Sequence, residues 1–217
     1  MRIIGIVPMK LNNSRLPGKN TKSFTNGKPL CWYILSTLKK IAALDEIFVY
    51  CSNPDIVNYI PDGIRFLKRS VSLDLNTTKM NEVLTCFADD VPADIYLMTH
   101  TTAPFVSAES ITKGLNAVIS GEYDSSFSAK KIQDFFWKNG APFNYSLDNI
   151  PRTQDLEPLY EETSGFYIYR NDVINKMGRR IGCKPYIVDV SEIESIDIDE
   201  EEDFCIADAL YNYYFKD

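Results

Sequence analysis

Short apolar runs rich in β-branched residues alternate along the chain with longer stretches in which apolar positions recur every three or four residues. Unbroken or alternating apolar runs read as strands and the 3.6-residue period as helices. The strands predicted in this way are Arg2–Val7, Glu46–Cys51, Arg65–Leu67, Asp94–Met98, Ser125–Ala129, Phe166–Tyr169 and Tyr186–Val188. The helices are Leu30–Ala43, Pro54–Tyr59, Lys79–Phe87, Ala108–Ser120, Asn171–Met177 and Glu200–Tyr214. This succession is that of strands joined by helical crossovers into a mainly parallel sheet, an α/β fold. From Lys131 to Glu162 the periodicity lapses, and Pro142, Pro151 and Pro158 stand among scattered aromatics. That segment, 131–162, is expected to be an irregular excursion from the sheet, not a second domain. Its aromatics, Phe135, Phe136, Trp137, Phe143 and Tyr145, form either a dimer arm or a satellite core, and interface use favours the arm.

At 217 residues, with no repeat or linker, the chain fits one large domain, 1–217. Its 45% apolar content supplies a sizeable core. The five cysteines, Cys31, Cys51, Cys86, Cys183 and Cys205, are odd in number and lack a CxxC pair. They argue against a disulfide framework or structural zinc, and are expected as small buried hydrophobes in a reducing cytoplasm. A net charge of −7 repels nucleic acid and anionic membrane, so any phosphate site must be a local basic patch. The apolar run Ile3–Pro8 is too short for a signal-peptide core, and no stretch approaches the roughly 20 apolar residues of a membrane span. A cytoplasmic chain without an anchor is expected.

The basic patch follows the first strand directly, in Lys10-Leu11-Asn12-Asn13-Ser14-Arg15-Leu16-Pro17-Gly18-Lys19-Asn20. In an open α/β sheet the loop leaving a strand's carboxyl end faces the ligand crevice, where Lys10, Arg15 and Lys19 would converge on an anion such as a nucleoside triphosphate. Backbone amides of Asn12, Asn13 and Ser14 can add hydrogen bonds to phosphate oxygens. GxxxxGK[ST] is absent, so this is not a Walker loop. The competing reading is an exposed basic loop of ordinary turn residues.

Near the other end stands Ser195-Ile196-Asp197-Ile198-Asp199. An extended backbone puts Asp197 and Asp199 on one face, with Ile196 and Ile198 on the other. Two carboxylates so placed suit a hard divalent cation, magnesium or manganese, better than zinc. Asp199 has a second explanation, since Glu202 three residues on is close to a capping box. Capping does not explain Asp197.

These segments, in this order and separation, resemble the acylneuraminate cytidylyltransferase family, which includes CMP-sialic acid synthetases and is similar to CMP-KDO synthetases. The most specific match is Ser14-Arg15-Leu16-Pro17-Gly18-Lys19-Asn20. Pro151-Arg152-Thr153-Gln154-Asp155, leading to Tyr160–Tyr167, looks like the family's approach to the acidic sugar, and Arg69 matches a family arginine near the nucleotide. The resemblance implies a Rossmann-like nucleotidyltransferase domain, usually homodimeric, that binds CTP along the N-terminal loop. Magnesium would join Asp197 and Asp199 to the phosphates while the sugar's anomeric hydroxyl attacks the α-phosphorus and pyrophosphate leaves. Lys10, Arg15 and Lys19 would face the developing charge. On the sugar side, Arg152 and Tyr167 fall in the family's stretch, with Arg152 as the carboxylate partner.

The sequence departs from the family pattern at three places. Lys10 stands where arginine is usual, keeping the charge but losing the planar fork. His100, the only histidine, follows the central strand where sialic acid enzymes tend to show glutamine; it is read either as a structural residue or as a sugar contact. Arg179 and Arg180 replace aromatics, and could equally be a favourable cationic helix end. A metal-dependent glycosyltransferase and a non-catalytic nucleotide-binding module remain as other classes, and an octulosonate as another acceptor.

Overall fold

The computed structural model describes residues 1–215. Seven strands form one sheet: β1 (Ile3–Met9), β2 (Glu46–Cys51), β3 (Arg65–Lys68), β4 (Ile95–Thr99), β5 (Ser125–Ile132), β8 (Leu159–Arg170) and β9 (Pro185–Asp189). Their order is β3-β2-β1-β4-β8-β5-β9. Two further short strands, β6 (Trp137–Lys138) and β7 (Ala141–Pro142), pair only with each other. The described residues also form five α-helices, α1 (Leu30–Leu38), α2 (Met80–Asp90), α3 (Ala108–Ile119), α4 (Asn171–Met177) and α5 (Glu201–Tyr214), with short 3₁₀ turns between elements.

Period-two alternation explains why the strands read as unbroken apolar runs, because both faces of the sheet are covered. Ile3 and Val7 of β1, Ile47 and Val49 of β2, and Phe166 and Ile168 of β8 pack in a cluster with α1 and α3. Their neighbours Ile4, Ile6, Phe48, Tyr50, Tyr167 and Tyr169 pack in another with α2 and α4. Helix α3 lies close to the sheet because Gly114 has no side chain: a Cβ there would sit 2.8 Å from Ser126 Oγ and 2.9 Å from Phe166 Cε2.

The sheet is mainly parallel, as the pattern predicts, with one antiparallel strand. β8 runs antiparallel to both β4 and β5, while β1–β2, β1–β4, β2–β3 and β5–β9 are parallel. β8 also begins at Leu159, inside the segment expected to be irregular, and β5 continues to Ile132. A break in the β5–β8 register hides this: Phe127 pairs with Tyr167 but Ala129 with Glu162, so Thr163–Gly165 bulge out and interrupt the period. The Ser128 hydroxyl fills the gap, accepting from Phe166 N at 3.1 Å and lying 2.9 Å from Thr163 Oγ1. Residues 54–59 form a 3₁₀ helix, and α1 ends at Leu38, where tighter bonds turn Ile41 back to the core. Only Cys31 and Cys51 are buried; Cys86, Cys183 and Cys205 are exposed, contrary to expectation, and all five are free thiols. Among the described residues no helix is long and apolar enough to cross a membrane.

Candidate active site

β1 lies between β2 and β4 near the middle of the sheet, and a crevice opens outside the carboxyl ends of β1 and β4, where ligands bind in open α/β sheets. A cavity of about 450 Å³ occupies it. Eight of the residues expected at the site line this cavity: Lys10, Asn13, Arg15, Lys19, Asn20, His100, Asp197 and Asp199.

The local sequence explains how distant segments meet here. Leu16 is buried in a third apolar cluster with Ile198 and Phe204, which pins the N-terminal loop to the start of α5. Gly18 then takes a left-handed turn, φ 68°, into a short 3₁₀ turn that buries Lys19 and Asn20. Arg15 Nη2 and Lys19 Nζ both reach Asp199 Oδ1, at 2.7 and 3.3 Å, and Lys19 Nζ also donates to the Ile198 carbonyl at 2.7 Å. Asn20 ties the loop to the segment after β4. Its Nδ2 donates to the Lys10 carbonyl at 2.8 Å, and its Oδ1 accepts from Thr101 Oγ1 at 2.6 Å. Ile198 N donates to the Thr102 carbonyl at 2.9 Å, closing the ring of segments.

Asp197 and Asp199 share the cavity while Ile198 is buried and Ile196 packs beside it, the alternation expected of an extended segment. The capping explanation of Asp199 is overturned. The N-cap of α5 is Glu200, and the Asp203 carboxylate accepts from Asp199 N and Glu200 N at 2.9 Å each. Asp199 is thereby free to face Arg15 and Lys19. Asp197 Oδ1 is buried without a hydrogen-bond partner. Burial pushes its carboxyl above the ordinary range; the Thr102 hydroxyl opposes this, the Asp199 charge adds to it, and Lys19 and Arg15 oppose it. A buried, unpartnered carboxylate oxygen beside a second carboxylate is the donor set of a hard cation, so these residues fit magnesium. Among the described residues no group of three His, Cys, Asp or Glu side chains could hold a metal, so these two carboxylates are the acidic donors the site offers.

His100 is half-buried on the cavity wall. Burial, with the charges of Arg180 and Lys19, pushes its pKa down to about 4 against the pull of Asp199. It is a neutral hydrogen-bonding group at pH 7, not a cation.

Other expected residues lie elsewhere. Lys10 reaches the cavity but its Nζ is held by the Asp74 carbonyl at 3.3 Å and Asn76 Oδ1 at 3.0 Å. Arg69 is buried behind it, bonded to Asp74 Oδ1 through Nε and Nη2 at 3.2 and 2.7 Å. It therefore positions the segment that holds Lys10 and does not line the cavity. Asn12 and Ser14 are exposed and outside the cavity lining. Arg152 is outside it too, its side chain 72% exposed and its fork closed on Asp155 at 2.8 and 3.0 Å. Tyr167 is fully buried, its hydroxyl donating to Glu162 Oε1. Met80, Thr102 and Ser164 line the cavity without having been singled out. Thr102 was within reach of the sequence, two residues beyond His100 on the same loop. Ser164 was not, because its place depends on the bulge and its positive φ of 57°.

A family model described as cytidylyltransferase matches residues 4–212. The chain is 26% identical to the CMP-N,N'-diacetyllegionaminic acid synthase of Legionella pneumophila, over 97% of this chain and 96% of that protein. It is 22% identical to N-acylneuraminate cytidylyltransferase A of Danio rerio over 93% of this chain, and spans half that relative's length. Among solved structures, CMP:2-keto-3-deoxy-manno-octonic acid synthetase complexed with CTP superimposes with a TM-score of 0.74 at 16% identity, over 98% of this chain and 99% of that one. At that identity the likeness shows the fold alone. With the family model covering nearly the whole chain and the N-terminal loop brought against the paired aspartates, the chain belongs to the cytidylyltransferase family.

Proposed function

We propose that the enzyme transfers CMP from CTP to the anomeric hydroxyl of an acidic 2-keto-3-deoxy sugar, an N-acylneuraminate or related nonulosonate, with release of pyrophosphate. The observation that carries this is the gathering of Lys10, Arg15, Lys19, Asp197, Asp199 and neutral His100 around one cavity at the carboxyl ends of β1 and β4. The acceptor class rests on the relatives named above, which act on sugars of this kind.

In this reading Arg15 and Lys19 exchange part of their contact with Asp199 for the triphosphate, and Lys10 supports its outer end. Such charge-assisted contacts strengthen as negative charge spreads over the phosphoryl oxygens in the transition state. Asp197 and Asp199 would hold magnesium or manganese, which supplies charge neutralisation at the phosphates. His100, uncharged, tests a hydroxyl or amide of the sugar without attracting a second anion. The enzyme works as a homodimer, a second copy covering the aromatic excursion.

The test is pyrophosphate release and product mass with CTP, magnesium and a panel of neuraminic, legionaminic, pseudaminic and octulosonic acids. A CMP-sugar of the expected mass with at least one acid is the expected result. Absence of CTP-dependent pyrophosphate with every acid overturns the assignment.

A further inference from the structure

The cavity described above is not the end of the cleft. Met80 lines it and also lines a second cavity of about 450 Å³, walled by Lys79, Glu162, Arg179, Arg180 and Gly182. The bulge in β8 straddles the two: Ser164 lines the first and Glu162, two residues before it, lines the second. Between them stands Tyr167. The His100 ring meets it edge-on at 6.5 Å between centroids, and the Arg180 guanidinium lies over it at 3.7 Å. Tyr167 therefore links the neutral wall of the first cavity to the cationic wall of the second.

Resting on the function proposed above, we infer that Arg180 binds the carboxylate of the acidic sugar and so sets the requirement for an acidic acceptor. An acidic sugar of this class carries its negative charge on that carboxylate. A guanidinium offers five donors in a planar fork that fits a carboxylate bidentately. Arg180 has used little of that capacity: its hydrogen bond to Glu162 Oε1 is long, at 3.4 Å. Its side chain is only 22% exposed and is stacked, so it is ordered before a ligand arrives. The other arginines fit the role less well. Arg152 is closed on Asp155, and Arg179 is exposed, its Nη2 against the sulfurs of Met177 and Cys183.

Glu162 is a like charge beside the incoming carboxylate. Its Oε1 already accepts from the Tyr167 hydroxyl and Arg180, and Lys79 adds a cation to the same cavity. Glu162 thus orients the guanidinium and leaves the opposite edge of the fork to the ligand. After burial, the charge of Arg180 helps to keep the His100 imidazole neutral, in keeping with its place behind Tyr167.

The experiment compares the parent enzyme with Arg180→Met and Arg180→Lys, using whichever acid of the panel the parent turns over and the methyl ester of the same sugar. KM and kcat for both sugars, calorimetric Kd for CTP and Tm are read on each preparation. Arg180→Met is expected to raise KM for the free acid about tenfold or more while Kd for CTP stays within about twofold. The ester, lacking the charge, is expected to be used equally by parent and variant. Weakened CTP binding with unchanged sugar KM would overturn the inference, assigning Arg180 to the phosphates. An equal loss for acid and ester would also overturn it, leaving Arg180 as cleft packing, and so would no change at all. If Arg180→Met fails to fold, the acid-to-ester ratio in Arg180→Lys decides, since that variant keeps the charge but loses the fork. A parent that releases no pyrophosphate with any acid refutes the proposed function itself. That outcome is distinct from an active parent with an indifferent Arg180.

Discussion

Asp197 keeps a carboxylate oxygen buried with no partner, and folding pushes its pKa upward, so the charged group is a burden to the fold. Asp197→Asn removes that charge at nearly constant shape and leaves the Glu200–Asp203 cap intact. Tm at pH 7 should stay level or rise, whereas turnover at saturating CTP should fall by about two to four orders of magnitude. A lowered Tm with normal turnover across a magnesium titration would make Asp197 structural. Arg15 meets Asp199 on the exposed side of the loop, and Arg15→Ala should weaken CTP binding by about ten- to a hundredfold by calorimetry. Unchanged affinity would remove the loop from the nucleotide site. His100 gives a pH signature. Its folded pKa of about 4 lies below its ordinary 6.5, so below pH 6.5 the unfolded chain binds the extra proton. Its contribution is fully present above pH 6.5 and is lost as pH falls toward 4. His100→Gln should flatten the fall of Tm between pH 6.5 and 5; an unaltered slope would show that His100 is not held neutral.

The short elements around the cleft owe their places to single residues, and these were unequally legible. Leu16 and Gly18 stood in a motif whose resemblance was specific, and the fold uses them as an anchor and a left-handed turn. The Asp197–Asp199 alternation was readable because a period of two needs only the local chain. The antiparallel β8, its bulge and the Arg180–Tyr167 stack were not readable. They depend on the Ser128 hydroxyl, a pairing partner more than thirty residues away, and on Arg180 reaching across to Tyr167. The Arg152–Asp155 ion pair, by contrast, is local, joining residues three apart on an exposed stretch. Packing at Gly114 shows how tertiary contact overrides propensity. Alanine gains about 1 kcal/mol in a helix interior. A Cβ 2.8 Å from Ser126 Oγ and 2.9 Å from Phe166 forces the helix off the sheet, at a cost of about 1–3 kcal/mol. Gly114→Ala should therefore lower Tm by a few degrees. A raised Tm would show that α3 can shift freely and that the close approach is not structural.

At the scale of the whole molecule, charge and apolar surface are distributed unevenly. The chain carries −7 overall, yet its cleft gathers Lys10, Arg15, Lys19, Arg179 and Arg180, so basic charge is concentrated locally against the overall sign. The excursion between β5 and β8 shows the opposite imbalance. Trp137, Phe143, Leu147 and Ile150 are each more than half exposed, at 58, 55, 60 and 59%. They lie outside the three apolar clusters of the core, which argues against the satellite-core reading of this segment. Phe135 packs on Tyr145 at 4.6 Å and Trp137 meets Tyr145 at 6.4 Å, so the aromatics hold one another in place while leaving Trp137 and Phe143 outward. Large aromatics presented in this way are the composition of an interface core. The homodimer proposed above covers them. The double variant Trp137→Ser, Phe143→Ser should then sediment as a single chain where the parent sediments as two, at matched micromolar concentration. Because neither side chain contributes to the core, far-ultraviolet circular dichroism should be unchanged, which separates lost association from lost folding. A parent that sediments as one chain, or a double variant that still sediments as two, would refute a dimer built on this surface.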